Sequence, residues 1–137
     1  MSEQQNIDVV KQAYENFKSG NIEALLGLMS NDIEWQLPEV DGIPFTGKRS
    51  GLEQVGQFFA MVGDSQDVLR FEPGLYIAQG DKVAVQGQYA WRVKATGRNY
   101  ESDFAHVFTV RDGKVTAFQE YLDTAVASAA YQKAQSA

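Results

Sequence analysis

The chain holds a single histidine, His106, in the segment FAHVFTV, and a glutamate, Glu120, in the segment AFQEYL. In both segments apolar residues recur at every second position, the period of a half-buried strand. Residues two apart on a strand share a face. His106 therefore shares its face with Phe104, Phe108 and Val110, and Glu120 shares its face with Phe118 and Leu122, so both polar side chains are expected on the core side. A turn around 111–113 would bring them opposite or diagonal to each other. An acid and an imidazole set among aromatic rings could move a proton to or from a bound molecule, with Glu120 as the acid/base and His106 sharing or tuning its proton. The bland alternative is a pair that merely satisfies itself, since a buried charge left alone is too costly to keep.

Tyr14 lies on the apolar stripe of an N-terminal helix and could present a phenolic donor to the same pair, although a tyrosine on such a stripe more often packs with its hydroxyl at the edge. Trp35, Leu37, Phe45, Phe59, Tyr89, Trp91, Phe104, Phe108 and Phe118 read as walls of a pocket suited to a small apolar, ring-bearing ligand. The same aromatics could be ordinary core. Gly87 interrupts an otherwise bulky strand, which allows either a bend or a close approach to the backbone.

Composition narrows the chemistry. Eighteen acidic against twelve basic residues give a net charge of −6, with the basic ones scattered, so a phosphate backbone would be repelled and nucleic acid is not an expected partner. The absence of cysteine removes disulfides, thiolate metal sites and thiol nucleophiles. One histidine is too few for an ordinary transition-metal site, so neither a metal nor an organic cofactor is expected. No apolar run approaches the ~20 residues that span a bilayer, and the N-terminus MSEQQNIDVVK lacks a signal core, so no membrane partner is expected and the cytoplasm is the simplest address.

With 137 residues and a hydrophobic share of 44%, the chain is sized for one domain with a proper core. Ile7, Val10, Ala13, Tyr14 and Phe17 predict a helix over 6–17, and Asn21 caps a second over 22–29. A short strand follows at 32–37, then a loop over 38–47. Ser50 and Glu53 form the pattern of a capping box for a third helix through about Met61. The period then changes from 3.6 to 2. Strands are expected at 68–79, 82–94, 100–110 and 114–122, with turns at Gly80, Gly97 and Gly113. The core spans about 6–123, and 124–137 reads as a weak helix or a frayed tail. This order is that of an α+β domain.

Three segments, AYENFKSGNIEALLGLMSNDIEW, FTGKRSGLEQVGQFF and FAHVFTVRDGKVTAFQEYLD, carry a resemblance over nearly the whole chain. It resembles the SnoaL-like branch of the nuclear-transport-factor-2-like superfamily, which also contains ketosteroid isomerases and limonene epoxide hydrolases. The resemblance implies a cone, a curved sheet of about six strands wrapping three helices of the N-terminal half around a pocket. It also implies a homodimer through the outer sheet face, where Ala84, Ala90 and Ala105 would allow close packing. Polyketide cyclases of this branch place an acid where Glu120 stands and a histidine where His106 stands. Tyr14 matches the oxyanion-hole tyrosine of the steroid isomerases, but Leu37 occupies the place of their general base, which argues against steroid isomerisation.

Two functions from different classes follow. The first is a cofactor-free pocket for a small apolar, oxygen-bearing molecule, acting by proton transfer in a cyclisation, isomerisation or hydration. The second is a non-catalytic module of the same fold that binds a small molecule or a protein partner.

Overall fold

The computed structural model describes residues 2–132. The element order is α1 (Glu3–Lys18), α2 (Ile22–Gly27), β1 (Met29–Leu37), β2 (Gly47–Ser50), α3 (Gly51–Ser65), β3 (Gln66–Gln79), β4 (Lys82–Val93), β5 (Asn99–Arg111), β6 (Lys114–Leu122) and α4 (Thr124–Tyr131). The strands form one six-stranded sheet in the order β2-β1-β6-β5-β4-β3, antiparallel except where β1 runs parallel to β6. An α+β architecture with a curved open sheet is the result.

Each helix forms for a legible reason. The Ser2 hydroxyl accepts the Gln5 amide and the Gln5 side chain accepts the Ser2 amide, closing a capping box that starts α1. Its stripe buries Val10, Ala13 and Tyr14 against the concave face of the sheet. Asn21 caps α2 by accepting from the Ala24 amide at 3.1 Å. At α3 the expected Ser50–Glu53 box does not form. The Ser50 hydroxyl instead donates to Glu34 at 2.8 Å, and the Gln54 side chain accepts the Ser50 amide at 2.8 Å. A glutamine one position later thus satisfies the amide at the helix start, while the serine hydroxyl is spent on a cross-strand partner. Val55, Phe58 and Val62 turn the buried face of α3 toward the core.

Two elements go beyond the expectations, one in each half of the chain. Residues 124–131 form an ordered helix, capped by Asp123, which accepts from the amides of Ala125 and Val126, and anchored through buried Ala127 and Ala130. Residues 133–137 of that expected tail lie outside the described residues. Helices are thus not confined to the N-terminal half. The short edge strand β2 falls where the sequence reads as the end of a loop and the start of a helix.

Bulges curve the sheet. The β3–β4 ladder shifts register between Val68 and Arg70 and again between Pro73 and Leu75, and an extra residue bends and twists the strand that carries it. The β5–β6 ladder shifts between Thr109 and Val110. The curved sheet encloses a core that runs from Val10 of α1 to Ala130 of α4.

Candidate active site

The hairpin between β5 and β6 sets the first two site residues. Arg111 pairs with Lys114 across a two-residue turn in which Asp112 and Gly113 both take positive φ (51° and 77°), a turn whose twist suits an antiparallel pair. Continued without interruption, that register would pair His106 with Gln119. Thr116 lies unpaired in the bulge, however, and its hydroxyl leans toward the Thr109 carbonyl. The one-residue shift places His106 directly opposite Glu120 and turns the acid to the concave side.

His106 is 4% exposed and Glu120 9%. Glu120 Oε2 lies 2.6 Å from His106 Nε2, and the Tyr14 hydroxyl lies 2.8 Å from His106 Nδ1. Both ring nitrogens are therefore occupied. With Glu120 ionised, the neutral imidazole that satisfies both contacts carries its hydrogen on Nε2, donates it to the carboxylate, and accepts the tyrosine proton at Nδ1. The ring is held further by stacking on Phe104, with centroids 4.2 Å apart and planes at 25°.

Tyr14 corrects the edge-packing expectation. Its hydroxyl is buried in the hydrogen-bonded chain rather than at the rim. Burial drives its pKa far above that of a free phenol, with the Tyr76 hydroxyl and the Glu120 carboxylate adding to the shift. Tyr89 is raised for the same first reason, burial, followed by the charge of Glu120. Both phenols stay protonated: Tyr14 donates to His106, and Tyr89 is the donor beside the acid.

A cavity of about 100 Å³ opens beside this chain. Of the residues that the sequence offers as pocket walls, Trp35, Leu37, Phe45, Phe59, Tyr89, Trp91, Phe108 and Phe118 line it, together with Tyr14, His106 and Glu120. Trp35 stacks on Phe118 at 3.8 Å because the parallel β1–β6 ladder sets them side by side. Phe104 is the correction. It lies behind the wall, stacked between His106 and Tyr89 with Phe71 beside it, and supports the site without lining the cavity.

Gln66, Tyr100, Leu25, Met29, Val40 and Ile43 also line the cavity, and sequence reasoning did not single them out. The aliphatic ones sit in short or irregular segments without a clear period. Gln66 and Tyr100 carried no signal beyond their types. No group of three or more His, Asp or Glu side chains is gathered as a metal site among the described residues, and no described helix is long and apolar enough to cross a membrane.

The model of the SnoaL-like domain family matches residues 10–118. The chain belongs to this family. The match ends before Glu120, so membership of the SnoaL-like family says nothing by itself about that acid. Among solved structures, this SnoaL-like chain is similar to a nuclear-transport-factor-2-like protein from Burkholderia xenovorans LB400, with 32% identity, 96% of this chain and 99% of that chain covered, and a TM-score of 0.88. It is also similar to TerC, co-crystallised with polyporic acid, with 31% identity, 93% and 98% coverage and a TM-score of 0.82. A nuclear-transport-factor-2-like protein from Burkholderia thailandensis E264 is 25% identical over 96% of this chain and 99% of that one, with a TM-score of 0.84. No curated protein matches the chain in sequence.

Proposed function

We propose that the cavity binds a small, largely apolar, oxygen-bearing molecule and that Glu120 moves a proton on it, in a reaction of the cyclisation, isomerisation or hydration type. The observation that carries this reading is the hydrogen-bonded chain Tyr14–His106–Glu120, set into the aromatic wall of a cavity. Oε2 of Glu120 is held by His106, which leaves Oε1 to take a proton from a bound carbon acid or return it. The imidazole contact persists in both states of the acid, so little reorganisation accompanies the transfer. Tyr89, kept protonated by burial and lining the cavity, is the donor for a developing enolate, while Tyr14 spends its proton on His106. The co-crystal of TerC with polyporic acid adds support for a small organic occupant over an empty core.

The test uses 2-tetralone, a ring ketone with acidic α-hydrogens, in deuterated buffer, with exchange followed by proton NMR. The protein is expected to speed exchange, and Glu120→Gln, which keeps an acceptor for His106, is expected to slow it by about 100-fold or more, the usual share of a general base. Exchange at the buffer rate with wild type, or an equal rate with the variant, removes the proton-transfer role and leaves the binding module.

A second copy of the chain is the expected macromolecular partner. On the outer face the register aligns Leu75, Gln86, Ala105 and Tyr121 in one row and Ile77, Ala84, Val107 and Gln119 in the next. Leu75, Ile77 and Tyr121 are 55%, 57% and 50% exposed, an apolar stripe that a dimer would cover. Ala90, by contrast, is buried within the subunit and does not contribute to the stripe. Light scattering is expected to give twice the chain mass, and Ile77→Lys to halve it; a wild-type monomer at micromolar concentration would remove the dimer.

A further inference from the structure

The cavity has a second polar pole that the proton-transfer reading does not use. Gln66 ends α3 and begins β3, where its amide closes the helix by donating to the Val62 carbonyl. Its side chain lines the cavity and is only 4% exposed. The Gln66 Oε1 accepts the Tyr100 hydroxyl at 2.9 Å and the Tyr131 hydroxyl as well. With both hydroxyls donating, the shared acceptor is Oε1, and the Nε2 group is the other, free end of the amide. The Nε2 group donates no hydrogen bond to any described residue. Nε2 is not one of the fully sealed, unpartnered polar atoms among the described residues, and the cavity that Gln66 lines gives an acceptor access to the amide.

Placement separates this pole from the acid. Tyr100 shares the concave face of β5 with His106, six residues nearer the start of the strand. Tyr100, Gln66, His106 and Glu120 nonetheless line the same cavity. Tyr131 arrives from α4 and meets Phe45 from the loop after β1, with centroids 6.2 Å apart. The same contacts that close this end of the cavity therefore orient the amide.

We infer that Gln66 is a ligand-recognition residue: its Nε2 donates to an acceptor oxygen, a ketone, quinone or ether, at the end of the ligand remote from the group that Glu120 works on. The occupant is then an elongated molecule oxygenated at both ends, held in one orientation by an acid pole and an amide pole. This rests on the ligand-pocket reading above and narrows it to a substrate class.

The probes are 6-acetyl-2-naphthol and 6-ethyl-2-naphthol, which share a phenol for the acid pole and differ by the carbonyl oxygen at the other end, with binding read from naphthol fluorescence. Wild type is expected to bind the acetyl compound about five- to tenfold more tightly, the worth of one buried hydrogen bond. Gln66→Glu still accepts from both tyrosines but has no N–H, and the preference should vanish or reverse. Should that variant fail to fold, Gln66→Met combined with Tyr100→Phe and Tyr131→Phe replaces the whole polar cluster by apolar groups, and it too should bind both probes alike. Equal binding of the two probes by wild type, or an unchanged preference in the variants, overturns the role of Gln66 while leaving the pocket intact. Binding of neither probe overturns both readings. Glu120→Gln is expected to weaken both probes and preserve their ratio; a preserved ratio with no weakening at all would count against the acid pole and for the amide pole.

Discussion

Raising the pH past 10 should unfold this protein cooperatively, with the tyrosinate absorbance of its buried phenols appearing in step with the loss of structure rather than ahead of it. Tyr14, Tyr89 and Tyr100 are all held protonated in the fold, in each case by burial first. Their folded pKa values lie above the unfolded value near 10, so the stabilising difference is fully present below pH 10. It is lost as pH rises, because the unfolded chain then gives up protons that the folded one keeps. Each phenol removes ~1.4 kcal/mol per pH unit beyond 10, so the three remove ~4 kcal/mol per unit. Against a domain stability of roughly 5–15 kcal/mol, the midpoint should fall between about pH 11 and 14. Absorbance at 295 nm and circular dichroism recorded on one sample check this. A separate tyrosinate step completed while the far-ultraviolet spectrum is still native would mean that the three hydroxyls reach solvent in the folded state, and the dry hydrogen-bonded chain would have to be given up.

How much of this was legible in the residues depends on which physical signal each element carries. The concave faces of β4, β5 and β6 follow from alternation alone, because a buried strand face tolerates few polar residues and Val83, Val85, Tyr89 and Trp91 are all buried as that pattern requires. The face of Glu120 was readable from Phe118 and Leu122 for the same reason. Its partner was not. The turn at Asp112–Gly113 would by itself align His106 with Gln119, and only the unpaired Thr116 corrects the register. Nothing about a threonine between Val115 and Ala117 announces a bulge, so proximity was legible and direct opposition was not.

Other misses have a common cause. The Ser50 side chain caps nothing because Glu34 on a neighbouring strand captures its hydroxyl, a tertiary contact that overrides a local pattern. The alanine-rich segment after Leu122 has weak helical amphipathicity, yet Asp123 starts it and Ala127 and Ala130 pack it down. Gln66 was invisible for a stronger reason. Its importance lies in two tyrosines, one from β5 and one from α4, and no spacing along the chain relates them. Tyr14 could be placed on the inner stripe of its helix, but the partner of its hydroxyl depends on how that helix crosses the sheet.

Gly87 joins the fold to the site, and replacing it should disturb both. A Cβ there would sit 2.5 Å from the Glu72 carbonyl oxygen and 2.6 Å from Cζ of Phe104. The close approach that a glycine admits is thus made by the protein's own ring and by the adjacent strand, beside the bulge between Pro73 and Leu75, and bending is only part of its role. The Glu72 carbonyl belongs to the β3–β4 ladder and cannot retreat without loss of pairing. Gly87→Ala is therefore expected to destabilise by ~2–4 kcal/mol, the upper range for overpacking, lowering Tm by roughly 10 °C at ~3–5 °C per kcal/mol for a chain of this size. Part of that strain must pass to Phe104, whose ring lies 4.2 Å from His106, and hence to the hydrogen bonds on both imidazole nitrogens. Phe104→Leu removes the ring atoms that the methyl would strike but leaves the carbonyl in place. The double variant should therefore recover a portion of the loss and not all of it. Thermal unfolding of the two single variants and the double variant measures that portion as a coupling energy. Strict additivity would show that the added methyl presses only on β3, and that Gly87 shapes the sheet without reaching the histidine.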